Sequence, residues 1–383
     1  MTSRTNARLA KIETPALILD ETRMMRNISR LSSHIASLNG GLRPHLKTAK
    51  SIEVAKRVLA DGAGPATVST LTEAEVLAAH GVRDILYAVG ITPQKLERVA
   101  RLRTGGCDCS VIVDNMVQAQ AVAEVSARTG QCIPALIELD CDGHRSGIRP
   151  QDPALIAIAR MLHDSQADLR GVLTHAGASY DVVGRAAHAQ LAEQERQAAV
   201  QAAQSLGAAG LPCPVVSIGS SPTAHAIQCL DGITEVRAGV YTFFDLFQAG
   251  IGVCEVDDIA LSVLTTVIGH QRDKGWIITD AGWMALSRDR GTATQTVDQG
   301  YGLVCDPEGT PLQDLIVIKA NQEHGIISQR PGSHSPLPDL PVGTQLRILP
   351  NHACATAAQF DHYRVLTPDH TAPLPRWERF AGW

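Results

Sequence analysis

Residues 41–70 read GLRPHLKTAKSIEVAKRVLADGAGPATVST. A short apolar run, Leu42–Lys47, gives way to the helical pattern SIEVAKRVLADGA, and a second short run, Ala66–Thr70, follows. This is strand, helix, strand, and the alternation continues down the chain. Further strand-like runs are Asp84–Val89, Cys109–Val113, Pro134–Asp140, Gly171–His175, Pro214–Ile218 and Glu235–Thr242. Helical stretches separate them, including TEAEVLAAHG and the alanine- and glutamine-rich segment Ala186–Gly207, whose residues favour helix. Eight strands with intervening helices predict an α/β fold, a parallel (β/α)8 TIM-like barrel. A doubly wound open sheet is the alternative, but no GxGxxG turn follows an early strand.

Beyond about residue 250 the pattern changes. Runs such as DIALSVLTTVIGH, GWIITDAG, DLIVIKANQ and TQLRILPNHA are strand-like and punctuated by Gly, Pro and Asp. An all-β C-terminal domain is expected, with the proline-bearing stretch 328–342 as a surface loop. The opening run Pro15–Asp20 precedes the barrel strands and is expected to pair with that domain. The division expected is a barrel over residues 20–250 and a β-domain over 251–383 joined by the N-terminal strand within 1–19.

The composition excludes several function classes. With 44% hydrophobic and 19% charged residues the 383-residue chain has material for a real core. A net charge of −5 gives no basic footprint, so nucleic acid and anionic membrane are not expected partners. No apolar run reaches the roughly 18 residues of a membrane helix. The opening MTSRTNARLAKIETP lacks an apolar export signal, and the odd number of scattered cysteines, 9, reads as reduced thiols; a cytoplasmic protein is expected. Cys107 and Cys109 form a CxC pair, read as two unrelated thiols at a loop-to-strand junction.

In such a barrel, chemistry gathers at the carboxyl ends of the strands. Lys47 ends the first strand, where an amine is either a surface cap or a group able to form a Schiff base. Arg43 and His45 alternate with it on the same side. The run Ser217–Thr223 ends the seventh strand. There a glycine with Ser220, Ser221 and Thr223 makes either an ordinary turn or an anion cradle, together with Gly239 and Val240 after the eighth. His175 closes the sixth strand and Arg145 follows the fifth, each a candidate site residue or a solvated loop residue. His352 and Cys354, two residues apart on an extended run, are either unrelated or an open metal site; a structural zinc wants four ligands.

Taken together these fragments resemble the family of eukaryotic-type D-serine dehydratases and D-threonine aldolases, fold-type III pyridoxal phosphate enzymes distantly similar to alanine racemase. The resemblance spans nearly the whole chain. It is carried by Thr14-Pro15-Ala16, Arg43–Thr48, Val68-Ser69-Thr70, Asp84–Ala88, Asp142–Gly147, Thr174–Gly177, Arg237–Tyr241, Asp280-Ala281-Gly282, Asn321–Gly325 and Pro350–Cys354. It implies roles. Lys47, and not Lys50, matches the lysine that holds pyridoxal 5'-phosphate. His45, Arg145 near the phenolic oxygen, His175, Tyr180 lining the pocket and Arg237 facing the pyridine nitrogen match cofactor contacts. From their place after strands seven and eight, Ser220, Ser221, Thr223, Gly239 and Val240 are expected to hold its phosphate. His352 and Cys354 match zinc ligands of the dehydratase branch. The aldolase branch tends to carry aspartate in place of this cysteine and uses Mn2+ or Mg2+; a thiolate favours Zn2+.

The activity implied is a lyase reaction, elimination of water from a small D-3-hydroxy amino acid. D-threo-3-hydroxyaspartate would give oxaloacetate and ammonia, and D-serine would give pyruvate. The alternatives are a D-threonine or 3-hydroxy-D-aspartate aldolase and, in another class, a non-catalytic pyridoxal phosphate carrier. Such carriers are single barrels, so the stretch after Gly250 argues against the last. The resemblance also implies a homodimer, in which relatives build each pocket from the barrel of one subunit and the β-domain of the other.

Overall fold

A computed structural model describes residues 4–369 and 373–383. Strand β1 (Ala16–Asp20) comes first. The barrel strands are β2 (Gly41–Pro44), β3 (Ala66–Val68), β4 (Asp84–Gly90), β5 (Asp108–Val113), β6 (Pro134–Leu139), β7 (Asp168–Thr174), β8 (Val215–Ile218) and β9 (Glu235–Ala238). They pair in the order β2-β9-β8-β7-β6-β5-β4-β3, every neighbour parallel. A parallel bridge between His45 and Thr67, with the Leu46 N–H donating to the Thr67 carbonyl at 2.9 Å, joins the two ends. This is the expected barrel.

Helices α1 (Arg4–Leu9) and α2 (Glu21–Ser37) precede it. Between successive barrel strands lie α3 (Ile52–Val58), α4 (Leu71–Ala79), α5 (Leu96–Thr104), α6 (Met116–Thr129), α7 (Ala154–His163), α8 (Arg185–Ala208) and α9 (Ser221–Ala226). Local chemistry sets where several start. Thr70, Asn115 and Ser220 are extended residues whose side chains accept the N–H of Glu73, Gln118 and Thr223, the usual N-cap bond. Leu86, Ile112, Leu136 and Leu173, one from each of four adjacent strands, form a buried cluster. Strands covered on both faces read as nearly continuous apolar runs, and Pro134–Leu139 is buried at every position, Glu138 being its one charged member.

Two boundaries differ from the expectation, and both matter. The first barrel strand stops at Pro44 and not at Lys47. After the single bridge at His45 the chain turns, with the Lys50 N–H donating to the Leu46 carbonyl at 2.9 Å and Lys50 at φ 43°. Lys47 therefore sits in a turn beyond the strand. The last strand ends at Ala238; Gly239 follows, then a 3-10 turn over Val240–Thr242.

The second sheet has nine strands. Its remaining members are β10 (Leu261–Gln271), β11 (Trp276–Thr279), β12 (Leu303–Cys305), β13 (Pro311–Ala320), β14 (Gly325–Gln329), β15 (Gln345–Leu349), β16 (His362–Leu366) and β17 (Arg376–Glu378). The order is β11-β14-β13-β12-β15-β10-β1-β16-β17. As expected, the opening strand joins this sheet, antiparallel to β10 and parallel to β16. Two compact units result: one holds the chain up to Ile28 with Val240–Arg379, the other Ser29–Gly239 with Phe380–Trp383. Among the described residues no helix is long and apolar enough to cross a membrane.

Candidate active site

In the barrel unit, the turn that follows closure carries Lys47, which is exposed. Its backbone N–H lies 3.4 Å from Nδ1 of His45, which also has a backbone hydrogen bond to Thr67. Burial, followed by the charges of Lys47 and Arg237, pushes the His45 pKa well below its ordinary value, so the ring is neutral.

Arg237 is the buried cation of this end, 5% exposed. Its guanidinium donates to the Ser217 hydroxyl and the Thr174 carbonyl, and among the described residues no carboxylate forms an ion pair with it. Ser217 in turn donates to Glu235 at 2.6 Å. Glu235 accepts from Arg43 Nε at 2.7 Å, and Arg43 reaches Asp84 at 2.7 and 3.1 Å. Arg43 thus belongs to a polar chain through the barrel and not to the cluster around Lys47. A buried guanidinium whose direct hydrogen-bond partners are neutral, with Glu235, Glu195 and Glu138 acting on it only through space, suits a ring nitrogen that accepts a hydrogen bond.

His175 Nδ1 lies 2.9 Å from the Gly219 carbonyl, to which it donates, and its ring is 6.0 Å from that of Tyr180. Burial, then the charge of Arg145, hold its pKa down at about 3, against an ordinary 6.5. The sign of the stability effect follows. Below pH 6.5 the unfolded chain takes up a proton that the folded ring refuses until about 3, so the stabilisation is complete above 6.5 and lost progressively toward 3. The melting temperature of the cofactor-free protein is therefore expected to fall less between pH 7.5 and 5 in His175→Gln than in the unmodified chain. Equal slopes would contradict the buried neutral ring.

Arg145 is more than half exposed and lies 3.8 Å from Glu138, which is almost wholly buried at the end of β6 and accepts from Ser146 Oγ at 3.2 Å. The cradle residues are less open than the sequence implies. Ser220 and Thr223 are buried and form a capping box, and Thr223 donates at 2.8 Å to Glu195. Glu195, itself fully buried, also accepts the N–H of Ala176 and of Gly219, both at 2.9 Å. It ties the loop after β7 to the loop after β8. The Ser221 N–H is not used by this box. Two glycines are required: a Cβ on Gly219, at φ 135°, would stand 2.1 Å from the Arg237 carbonyl, and one on Gly239 2.9 Å from that of His45. Val240 is buried at the start of its turn.

The structure therefore gathers Lys47, His45, Arg145, His175 and Arg237 into one electrostatic neighbourhood with Tyr180 against it. Glu138 and Glu195 were not anticipated. Glu195 had a signal: it sits on the buried stripe His188, Ala192, Glu195, Ala199, Ala202, Leu206 of α8, where three- and four-residue spacing predicts apolar residues.

In the β unit, His352 caps the short helix Ala353–Ala357. Pro350 and Asn351 accept the N–H groups of Leu246 and Phe247, and the Asp245 carboxylate accepts those of Gln248 and Ala353, each at 2.9 Å. His352 Nδ1 lies 2.6 Å from Asp289 Oδ2, and the ring also hydrogen-bonds Cys354. Burial opposes a charge on His352, but Asp289 and Cys354 outweigh it and lift the pKa to about 11. With Nδ1 held by a carboxylate, Nε2 once it has given up its proton and the thiolate are the donors left for a cation, a borderline-soft pair that fits Zn2+ better than Mg2+. No group of three His, Cys, Asp or Glu side chains able to hold a metal occurs among the described residues. Asp289, in the loop SRDRG, carried no sequence signal.

The family model "Alanine racemase, N-terminal domain" matches residues 19–246, and "Putative serine dehydratase domain" matches 260–366. The chain belongs to the alanine racemase-like D-serine dehydratase family. It is 53% identical to the D-threo-3-hydroxyaspartate dehydratase of Delftia sp. (strain HT23), over 98% of this chain and 99% of that protein. The solved structure of that enzyme superposes with a TM-score of 0.95 over 98% and 100% of the two chains. A mutant of it has been solved in a metal-free form. More distant family members include a D-serine dehydratase of Dictyostelium discoideum, 26% identical over 95% of this chain and 96% of that one. The D-threonine aldolase of Filomicrobium marinum superposes with a TM-score of 0.80 at 25% identity, over 97% and 96% of the chains.

Proposed function

We propose that this protein is a pyridoxal phosphate- and zinc-dependent dehydratase that removes water from D-threo-3-hydroxyaspartate, giving oxaloacetate and ammonia. The observation that carries the reading is a lysine-bearing barrel mouth of neutral imidazoles and a buried arginine, in a chain that follows a dehydratase of this specificity from end to end.

When bound, pyridoxal phosphate supplies a sink for electrons released at the substrate α-carbon, and Zn2+ supplies Lewis acidity toward the β-hydroxyl. Lys47 would hold the cofactor through its amine, and the same amine is the base placed to take the proton from the substrate α-carbon. Arg237 would donate a hydrogen bond to the cofactor's ring nitrogen, which a guanidinium, having no proton to give up, leaves unprotonated. His45 and His175, both neutral, flank the ring without adding charge. Arg145, paired with Glu138, would answer the phenolic oxygen, and Tyr180 would line the pocket beside His175. The Ser221 N–H and the backbone at Gly239 and Val240 would receive the phosphate, while Ser220 and Thr223 shape the loop after β8. His352 Nε2 and Cys354 hold the metal, with Asp289 fixing the imidazole.

The deciding assay measures oxo acid and glycine released from D-threo-3-hydroxyaspartate, D-serine and D-threonine. Oxaloacetate from the first is expected as the fastest product. Glycine as the main product from any of them would make the enzyme an aldolase.

We also infer a homodimer, on family resemblance, working in the cytoplasm, where the nine cysteines, none of them in a disulfide, stay reduced. A fully active monomer in analytical ultracentrifugation would refute the dimer.

A further inference from the structure

Lys50 lies three residues beyond Lys47 and takes no part in the chemistry described above. Its surroundings give it another role. Lys50 closes the turn that carries Lys47: its N–H donates to the Leu46 carbonyl at 2.9 Å, and its backbone stands at φ 43°, which L residues adopt only under external constraint. Two constraints are present within the barrel unit. The Lys50 ammonium reaches Glu73 Oε1 at 3.1 Å, and the Glu73 side chain is 1% exposed. The Lys50 carbonyl accepts the N–H of Phe380 at 2.8 Å.

Glu73 is not a passive partner. Its carboxylate accepts Ser69 N–H at 3.2 Å and Ser69 Oγ at 2.9 Å, which fixes the loop between β3 and α4. The segment Phe380–Trp383 runs over the same helix start: the Trp383 carbonyl accepts Thr72 Oγ1 at 2.6 Å and Arg98 at 3.1 Å, and Arg98 forms a two-pronged pair with Glu75 at 2.8 Å. On the other side of the turn, the Leu46 N–H holds the Thr67 carbonyl in β3. The turn bearing Lys47 is thus fastened at its start by the barrel-closing bond and at its end by Lys50.

We propose that the Lys50–Glu73 pair is a positioning clamp that presets the Lys47 amine for the cofactor aldehyde. Without the ammonium, Glu73 is left a buried carboxylate short of a cation, and the left-handed backbone at residue 50 loses its anchor. The turn is then free to rotate Lys47 away from the barrel mouth. This inference rests on the reading of Lys47 as the cofactor-holding lysine.

The test is equilibrium binding of pyridoxal 5'-phosphate to cofactor-free protein, followed by the visible absorbance of the bound form, with melting temperatures recorded alongside. Lys50→Met and Glu73→Gln are each expected to raise the dissociation constant about tenfold, as lost preorganisation does, and to weaken the visible band. Lys50→Arg, which keeps the charge, is expected to restore both. Should Lys50→Met not fold, Lys50→Gln, which keeps a hydrogen bond to Glu73 and drops the charge, answers the same question. A Lys50→Met protein that binds the cofactor with unmodified affinity and absorbance overturns the clamp alone. An unmodified chain that takes up no cofactor overturns the Lys47 reading and the clamp with it. A fall in melting temperature with unchanged cofactor binding reduces the pair to a structural contact and also overturns the proposal.

Discussion

Lys47→Ala is expected to bind pyridoxal phosphate without developing the visible absorbance of the lysine-bound form and to lose turnover by on the order of 10³-fold or more, since it forfeits both the covalent hold and the base. The geometry says why no neighbour can stand in. His45 and His175 are pinned by backbone hydrogen bonds and kept neutral by burial, and an imidazole so placed neither condenses with an aldehyde nor draws a proton as an amine does. Lys50 is bound to Glu73, and Lys95 lies 2.8 Å from the Tyr87 hydroxyl in another loop. The substitution should leave the fold intact, because Lys47 is exposed and its turn is held by Leu46 and Lys50. Absorbance, turnover and melting temperature measured on one preparation decide it. Unimpaired turnover would falsify the assignment.

The barrel was legible because its information is periodic. Short apolar runs alternating with helical stretches from Leu42 to Ala238 leave few topologies, and every strand-to-strand pairing follows that order. What escaped was set by contacts distant in sequence. Lys47 reads as a strand end because the apolar alternation continues through Leu46, yet the strand stops at Pro44 and a single bridge at His45 is the last of the pairing. The position of the turn depends on Thr67 and Phe380, neither visible from residues 43–50. The cradle Ser217–Thr223 reads as a set of hydroxyls facing a ligand; a carboxylate from α8 claims Thr223 and the Gly219 N–H. The His352 and Cys354 pair shows both sides. His352 and Cys354 stand out by spacing, but the carboxylate that orients the imidazole comes from Asp289, 63 residues earlier, in a loop without pattern.

That carboxylate sharpens the expectation for the metal. Removing the metal with a chelator is expected to lower turnover by roughly 10²-fold or more while the visible absorbance at Lys47 stays, because Lewis acidity toward the departing hydroxyl is lost and the barrel unit is untouched. Zn2+ should restore turnover better than Mg2+, since a thiolate discriminates against hard ions. Asp289→Asn keeps a hydrogen-bonding side chain beside Nδ1 but weakens the anionic hold on the ring, so it should cost about 10–100-fold in zinc affinity without changing the order of metals. Cys354→Asp should change that order, toward Mn2+, by replacing the soft donor with a hard one. The two substitutions separate orientation from donor chemistry, which removal of the metal alone cannot do. The β unit should survive chelation, because the Pro350–Cys354 segment is held by backbone bonds to Leu246 and Phe247 and by Asp245. The measurements are turnover, absorbance and circular dichroism of the chelated protein. Full activity without metal, or collapse of the β unit on chelation, would each remove the catalytic role from His352 and Cys354.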